Sequence, residues 1–218
     1  MNRITIFVGE FGSGKTELSM NYSIYLKKHG YLSAIVDMDL VKPYFRTREN
    51  ASLLEEKGIK VVAPDKNLSN ADLPILPSEL TRILNDEAYH VVMDVGGGES
   101  AVVLGQFRKR LEELNPQVIM VVNTCRPFTS TRDGILSSLK RIEGVSGLTV
   151  TGFVSNTNIG QETSAQHVTE GYKLLSAVAQ EVQLPLLFTV IPEWLLEDIK
   201  LEAPVFVLQP FTRYPWMD

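Results

Sequence analysis

The sequence has little of what stabilises secreted proteins, binds structural metals or attracts nucleic acids. It contains a single cysteine, Cys125, which excludes an internal disulfide framework and any C-x-x-C metal or cluster site. Its three histidines lie far apart, without the spacing of metal ligands. The formal net charge of −5 indicates no electrostatic footprint for a nucleic acid. We therefore expect neither a cysteine-based metal site nor a nucleic-acid partner.

Long apolar runs are also missing. No stretch approaches the length that spans a membrane, and the first apolar run is too short for a signal peptide. We therefore expect no membrane anchor and a cytoplasmic location. The 218 residues are 44% hydrophobic and 22% charged, which is ordinary for a soluble globular protein. This length predicts a single domain over residues 1–218.

What the sequence does contain is a glycine-rich loop between an apolar run and a helical pattern. Residues 9–16 read GEFGSGKT, which matches the pattern G-x-x-x-x-G-K-T. Glycines allow a tight concave turn whose N–H groups surround an anion, and the positive end of the following helix points to the same place. In this pattern Lys15 binds the outer phosphates and the Thr16 hydroxyl binds magnesium. The segment predicts a phosphate-binding loop; the alternative is a glycine-rich turn that binds nothing.

Apolar, strand-like runs alternate with helical patterns along most of the chain. After the first run, they cover residues 31–39, 58–64, 89–98, 117–123, 148–156 and 185–193. Helical spacing of apolar residues marks 103–114, 135–142 and 168–182. This alternation predicts an α/β fold, a three-layer, doubly wound, mostly parallel sheet with helices on both faces, of the P-loop NTPase kind. Residues 63–77 form the one irregular insertion, and a loop of that length is usually functional or mobile.

Polar residues follow the strand-like runs, at the edge where doubly wound sheets bind their ligands. These residues are Asp37, Asp39, Asp94, Asn123 and Asn156. Asp94 is expected to hold magnesium beside the phosphate loop, and the alternative is a cap on a helix that begins near Ser100. One of Asp37 and Asp39 could support magnesium while the other positions or activates a nucleophile, or both could be ordinary loop acids.

Five sequence features occur in an order that is found in one group of nucleotide-binding proteins. They are the phosphate loop, VDMD at 36–39, DVGGG at 94–98, GFVSN at 152–156 and IPE at 191–193. Together they resemble the MinD/ParA/CobQ group of deviant P-loop ATPases. The wider class also holds nitrogenase iron protein, dethiobiotin synthetase and metallocentre-assembly GTPases. The resemblance extends over residues 3–193.

The resemblance implies ATP and Mg²⁺ as ligands and gives binding roles to the matching residues. The nucleotide-binding set is Gly9, Glu10, Phe11, Gly12, Ser13, Gly14, Lys15, Thr16, Glu17, Asn156, Ile191 and Pro192. The metal-binding set is Thr16, Asp37 and Asp94. Within the first set, Asn156 would contact the edge of adenine and the segment 191–193 would pack near the base.

The resemblance also implies catalytic and switching roles. Lys15 and Asp39 would be the catalytic residues, and Asp39 would orient the attacking water from a first switch segment. Residues 96–98 would form the second switch.

The sequence departs from the resembling group at two positions. Many members carry a second lysine early in the loop, which reaches the phosphates of a partner subunit, and here the position holds Glu10. We therefore expect no ATP-sandwich dimer through position 10, unless Arg46 or Arg48 compensates, and any homodimer should use another surface. GTP-binding relatives place an aspartate three residues after the asparagine to pair with guanine, and here that residue is Ile159. ATP is therefore expected rather than GTP.

Three functions remain open from the sequence. The first, which we favour, is an ATP-hydrolysing switch in which Mg-ATP orders residues 39–48 and 96–100 and a partner protein reads the result. The second is an enzyme that phosphorylates a small molecule or activates its carboxylate, as dethiobiotin synthetase-like relatives do. The third is a nucleotide-binding module with negligible turnover.

Overall fold

An eight-stranded sheet lies at the centre of the computed structural model, which describes residues 2–38, 50–62, 78–96, 102, 104–105 and 107–211. The strands are β1 Ile4–Val8, β2 Leu32–Asp37, β3 Lys60–Val62, β4 Tyr89–Asp94, β5 Gln117–Val122, β6 Gly152–Ser155, β7 Leu186–Pro192 and β8 Val205–Leu208. All are parallel, in the spatial order β3-β2-β4-β1-β5-β6-β7-β8. Because β1 lies between β4 and β5, its carboxyl end is the switch point at which doubly wound sheets bind ligands.

Helices cover both faces of the sheet. They are α1 Lys15–Lys28, α2 Ala51–Glu56, α3 Ser78–Asn85, α4 Arg108–Glu113, α5 Arg132–Ser146 and α6 Ala165–Glu181. The alternation of side chains along β1 separates the two faces, since Ile6 packs with residues of α3 to α6 whereas Phe7 packs with α1. A smaller cluster joins α1, α2 and β2 through Met20, Leu54 and Ile35. The predicted three-layer α/β architecture is confirmed.

One strand was not predicted. Residues 205–208 read VFVL between two prolines and form β8, the edge strand beside β7. All four residues are apolar although Val205 and Val207 are exposed, so the sequence lacks the alternation of apolar and polar residues that marks a half-buried strand. With β8 included, the sheet is parallel throughout its described strands, where a mostly parallel sheet was expected.

Several predicted functional segments lie outside the described residues. They are Asp39 and the rest of 39–49, the insertion at 63–77, and the second-switch residues 97–98. Their predicted roles therefore stay predictions. None of the helices in the described part of the chain has the length and apolar character needed to cross a bilayer.

Candidate functional site

The glycine-rich loop joins the carboxyl end of β1 to the first turn of α1, as predicted. Gly14 precedes α1 in the left-handed conformation, with φ of 82°, which a glycine adopts without steric penalty. A Cβ atom on Gly14 would lie 2.3 Å from Nδ2 of Asn156. A Cβ atom on Gly9 would lie 2.5 Å from the carbonyl oxygen of Val121 on β5. The loop thus lies against the ends of β5 and β6, in a space that excludes side chains at both positions.

Side chains from the ends of β5 and β6 bind the carbonyl oxygens of the loop. Asn156 Nδ2 donates a hydrogen bond to the Ser13 oxygen at 2.8 Å. The Gly12 oxygen accepts from Asn123 Nδ2 at 3.3 Å and from Arg126 Nε at 3.1 Å. Because the carbonyl and N–H groups of a trans peptide point in opposite directions, the bond to Asn156 turns the N–H of Gly14 away from β6. These contacts fix the peptide orientation that an anion-binding loop requires.

Asn123 connects the two strand ends that hold the loop. Its Oδ1 accepts from the backbone N–H groups of Cys125 and Asn158, at 3.0 and 3.2 Å. Its Nδ2 also donates to the Asn158 oxygen at 2.9 Å. The side chain is fully buried, and every polar atom of its amide has a partner. The sequence predicted a polar residue at this strand end but gave no indication of this connecting role.

The lysine of the loop is folded over it. Lys15 Nζ donates to the backbone oxygens of Gly9 and Glu10, at 3.0 and 2.8 Å, and to Ser13 Oγ at 3.3 Å. Lys15 is buried, so its ammonium group lies within the loop rather than in bulk solvent. This is the position from which an ammonium group neutralises phosphates held by the loop.

Two carboxylates lie side by side at the edge of the sheet next to the loop. Asp37 ends β2 and Asp94 ends β4, and the two residues are direct partners in the parallel register. Asp94 is also level with Phe7 of β1, two residues before the loop begins. The exposed fractions are 1% for Asp37 and 2% for Asp94. Both acids therefore lie at the edge of the sheet where the sequence predicted the polar residues, and the structure adds that they are neighbours.

The donor set at this edge suits Mg²⁺. Thr16, in the first turn of α1, offers a hydroxyl, and Asp37 and Asp94 offer carboxylate oxygens. Within the described ranges, no group of three or more His, Cys, Asp or Glu residues could hold a metal ion. Mg²⁺ usually binds through one or two carboxylates together with substrate phosphates rather than in a cage made by the protein alone. The residues present therefore fit a metal that arrives with a nucleotide.

From the sequence we expect the Glu10 carboxylate to repel the phosphates of a partner subunit, whereas in the structure this carboxylate has a partner within the same chain. Its side chain is 5% exposed and forms an ion pair with Arg141 of α5. The negative charge at position 10 is therefore compensated within the same chain. The sequence contained no signal for this pair, because 131 positions separate its two members.

Glu17 and Phe11 also belong to the predicted nucleotide-binding set, and that role stays a prediction for both. The Glu17 carboxylate accepts a hydrogen bond from the backbone N–H of Phe211, and Glu17 carries the same charge sign as a phosphate. Asn21, one turn later on α1, donates to the Glu17 backbone oxygen and exchanges two hydrogen bonds with the backbone of Gln209, each of these three at 2.9 Å. Glu17 thus helps to hold the segment after β8. Phe11 is 71% exposed at the tip of the loop.

The residues predicted to lie near the base differ from one another in their burial and contacts. Asn156 is at the predicted strand end, and its Nδ2 donates a hydrogen bond to the loop. Ile191 is fully buried in a cluster with Val168 of α6, so its side chain belongs to the core, and its predicted place near the base stays a prediction. Pro192 ends β7 and is buried too. Ile159 is half exposed beside the loop formed by residues 156–163.

Cys125 lies between the loop-binding residues Asn123 and Arg126. Burial raises the pKa of its thiol, and the positive charge of Arg126 acts in the opposite direction. A raised pKa leaves little thiolate near neutral pH, which agrees with a structural rather than a nucleophilic cysteine.

Comparison with known proteins by sequence gives one relative to report. No protein-family model matches the chain. The signal recognition particle 54 kDa protein of Sulfolobus acidocaldarius is 26% identical over 125 residues, which are 55% of this chain and 28% of that protein. The chain therefore spans well under a third of that relative's length.

Solved structures with a similar fold include the following three proteins. The signal recognition particle 54 kDa protein of Aeropyrum pernix K1, in complex with GDP, has a TM-score of 0.57 at 20% identity, covering 85% of this chain and 40% of its own. The cell division protein FtsY of Thermotoga maritima has a TM-score of 0.61 at 17% identity, covering 88% and 62%. FlhF, complexed with GTP and Mg²⁺, has a TM-score of 0.53 at 14% identity, covering 85% and 64%. These similarities establish a P-loop NTPase fold.

Proposed function

We propose that this chain binds a nucleoside triphosphate with Mg²⁺ and hydrolyses it as a switch that a partner protein reads. The observation that carries the proposal is the anchored loop, in which Asn156 and Asn123 hold two carbonyl oxygens away from the concave side while Lys15 lies across it. The paired acids Asp37 and Asp94 stand at the adjacent strand ends, where a metal bound to Thr16 would meet them.

The identity of the base has two opposing lines of support. Two of the similar structures are complexes with GDP or GTP, which favours a guanine nucleotide. In this chain the position that pairs with guanine holds Ile159, an apolar side chain that can neither donate to nor accept from the base, which favours ATP. The MinD/ParA resemblance also supports ATP and stays part of this proposal.

A charge-removing variant of the loop tests nucleotide binding. Lys15→Ala removes the ammonium group inside the loop and should weaken triphosphate binding at least ~100-fold, since charge-assisted contacts to phosphates are the strongest available here. Lys28→Ala, at the exposed end of α1, is the matched control and should bind like the parent. Calorimetry with GTP and with ATP measures the affinity of each variant and of the parent. Equal affinity of the parent and Lys15→Ala for the preferred nucleotide would contradict the proposal.

The metal site has its own test. Asp94→Asn keeps the size of the side chain and removes its charge, so it should weaken nucleotide binding in the presence of Mg²⁺ more than in EDTA. An equal loss under the two conditions would indicate a structural role of Asp94 instead. Partner-stimulated turnover would support the switch, whereas substrate-dependent release of the diphosphate by the pure protein would indicate a small-molecule enzyme.

The base can be identified by competition and by one substitution. If Ile159 leaves guanine unpaired, ATP should displace a fluorescent triphosphate more effectively than GTP does. Ile159→Asp supplies the missing acceptor at a half-exposed position and should shift the preference towards GTP. Better competition by GTP in the parent would show that other residues read the base and would overturn the argument from Ile159.

We further propose that any dimer of this chain does not use position 10 to reach a partner's phosphates. Glu10 is buried and already paired with Arg141, so it has neither the sign nor the freedom for that contact. Sedimentation with Mg²⁺ and a non-hydrolysable triphosphate, on the parent and on a variant with Arg46 and Arg48 changed to alanine, provides the test. A nucleotide-induced dimer that persists in the double variant would contradict the proposal.

A further inference from the structure

Arg126 places a second positive charge at the loop, in addition to Lys15. It lies in the turn after β5, immediately before a short 3-10 turn at Pro127–Thr129. Its Nε donates to the Gly12 oxygen at 3.1 Å, and the side chain is half-buried. The sequence gave no indication of this contact, because 114 positions separate the two residues.

The backbone around Arg126 and the glycine it contacts define its position. The Arg126 N–H donates to the Asn123 oxygen at 3.1 Å, and the following proline keeps Arg126 extended, with φ of −102° and ψ of 141°. A Cβ atom on Gly12 would lie 3.0 Å from Arg126 Nε and 3.4 Å from Cζ. The guanidinium group therefore packs directly on the α-carbon of Gly12, in the middle of the phosphate-binding loop.

Arg126 differs from most arginines of the described residues in having no carboxylate partner. Arg82, Arg108, Arg110, Arg132 and Arg141 each form an ion pair within 4.0 Å. In those described ranges, Arg126 and Arg3 instead bind only backbone oxygens. A guanidinium has five N–H donors, and Arg126 uses one of them on Gly12. In the described part of the chain, its other four N–H groups make no hydrogen bond and no carboxylate compensates its charge.

We propose that Arg126 is a phosphate-binding residue of this site, which supplies, within the same chain, a cation to the phosphates that the loop holds. The inference rests on the proposed nucleotide binding and adds a residue to it. Because a planar guanidinium binds phosphate oxygens through two parallel N–H groups, Arg126 can hold Gly12 and contact a phosphate at the same time. The contribution of Arg126 to affinity then increases with the number of phosphates.

Arg126→Gln separates this role from simple support of the loop. Glutamine retains an N–H donor for the Gly12 oxygen but has no charge, and Arg126→Lys retains the charge but not the planar fork. Arg3→Gln is the matched control, since Arg3 also binds backbone oxygens without an ion pair, at 2.8 Å from Nη2 to Leu84, but at the opposite end of β1. Calorimetry with the preferred triphosphate, its diphosphate and its nucleoside, at low and high salt, measures each affinity.

We expect Arg126→Gln to weaken binding of the triphosphate about 10-fold or more and of the diphosphate less, and to leave the nucleoside unchanged. Arg126→Lys should recover part of the loss, and Arg3→Gln should bind like the parent. An equal loss for the triphosphate and the diphosphate, without recovery in Arg126→Lys, would mean that Arg126 only supports the loop and would overturn the inference. So would unchanged triphosphate affinity in Arg126→Gln.

The same measurements separate failure of this inference from failure of the proposed function. If the parent binds triphosphate, Lys15→Ala does not, and Arg126→Gln is unchanged, then only the role of Arg126 is wrong. If Lys15→Ala binds as well as the parent, the nucleotide site itself is wrong. Thermal unfolding of each variant verifies that Arg126→Gln is folded, and the charge-retaining Arg126→Lys keeps the test valid if it is not.

Discussion

Gly14 and Gly30 allow the effect of a side chain at the loop to be measured separately from the effect on the backbone. Both glycines are in the left-handed region, with φ of 82° at Gly14 and 86° at Gly30. A Cβ atom on Gly30 would have no neighbour within 4 Å, whereas one on Gly14 would lie 2.3 Å from Asn156 Nδ2. Alanine therefore introduces the same conformational strain at the two positions but a steric clash only at Gly14.

The conformational strain and the steric clash together determine how much folding free energy each variant loses. An L-residue in the left-handed region costs about 1–2 kcal/mol of folding free energy, and Gly30→Ala should lose that amount. In Gly14→Ala, Asn156 must also move and give up its bond to the Ser13 oxygen, which leaves a buried polar group unpaired. That adds about 1–3 kcal/mol, so Gly14→Ala should be less stable than Gly30→Ala by this difference. For a chain of this size the difference corresponds to roughly 2–4 °C in Tm per kcal/mol.

Urea unfolding of the two variants and of the parent measures the free energies, and calorimetry measures nucleotide affinity. Gly14→Ala should bind the triphosphate at least ~10-fold more weakly, because the Ser13 carbonyl oxygen is no longer held by Asn156. Gly30→Ala should bind like the parent. In an Asn156→Ala background the clash is gone, so Gly14→Ala should then cost no more than Gly30→Ala does. If the two glycine variants are equally stable in the parent background, or if the excess cost of Gly14→Ala survives Asn156→Ala, the packing argument is refuted.

Two further pairs of residues give predictions by the same logic. Gly171 lies within α6, and a Cβ atom there would lie 2.0 Å from Thr157 Oγ1, so Gly171→Ala should destabilise by about 1–3 kcal/mol in urea unfolding. Gly144→Ala, in α5 with no neighbour within 4 Å, should instead stabilise by about 0.5–1 kcal/mol, and a loss at both positions would contradict the difference in packing. Arg141→Ala leaves the Glu10 carboxylate buried without its cation and should destabilise by about 1–3 kcal/mol, while adding Glu10→Gln should restore at least part of that loss. A double variant less stable than Arg141→Ala would show that the ion pair is not the cause.

The sequence predicted those parts of the site that depend on local patterns. The loop and the helix after it follow from spacing within eight residues, from Gly9 to Thr16. The location of Asp37 and Asp94 at one edge of the sheet follows from a general property of parallel sheets, whose strands all end at the same edge. These elements could be predicted because each depends either on neighbouring residues or on the class of fold.

The parts that were not predicted depend on contacts between distant segments. The pairing of Glu10 with Arg141 and the contact of Arg126 with Gly12 join residues more than 100 positions apart, and neither has a pattern of its own. The connecting role of Asn123 likewise requires knowing that β5 and β6 are neighbours. For such residues the sequence gives the chemical type, and only the fold determines the partner.

The two sides of the loop have different roles in this arrangement. On the side of β5 and β6, the contacts of Asn123 and Asn156 hold the loop directly, through bonds that exist within the chain itself. On the side of β2 and β4, Asp37 and Asp94 lie at the strand ends from which residues 39–49 and 97–101 continue. Carboxylates repel phosphates, so these two acids would favour the nucleotide only through a bound cation.

Replacing Asn123 should therefore weaken triphosphate and diphosphate binding alike, whereas replacing Asp37 should affect chiefly the form of the nucleotide that binds with Mg²⁺. A partner that distinguishes the two forms would accordingly be expected to read the segments that follow the acids rather than those that anchor the loop.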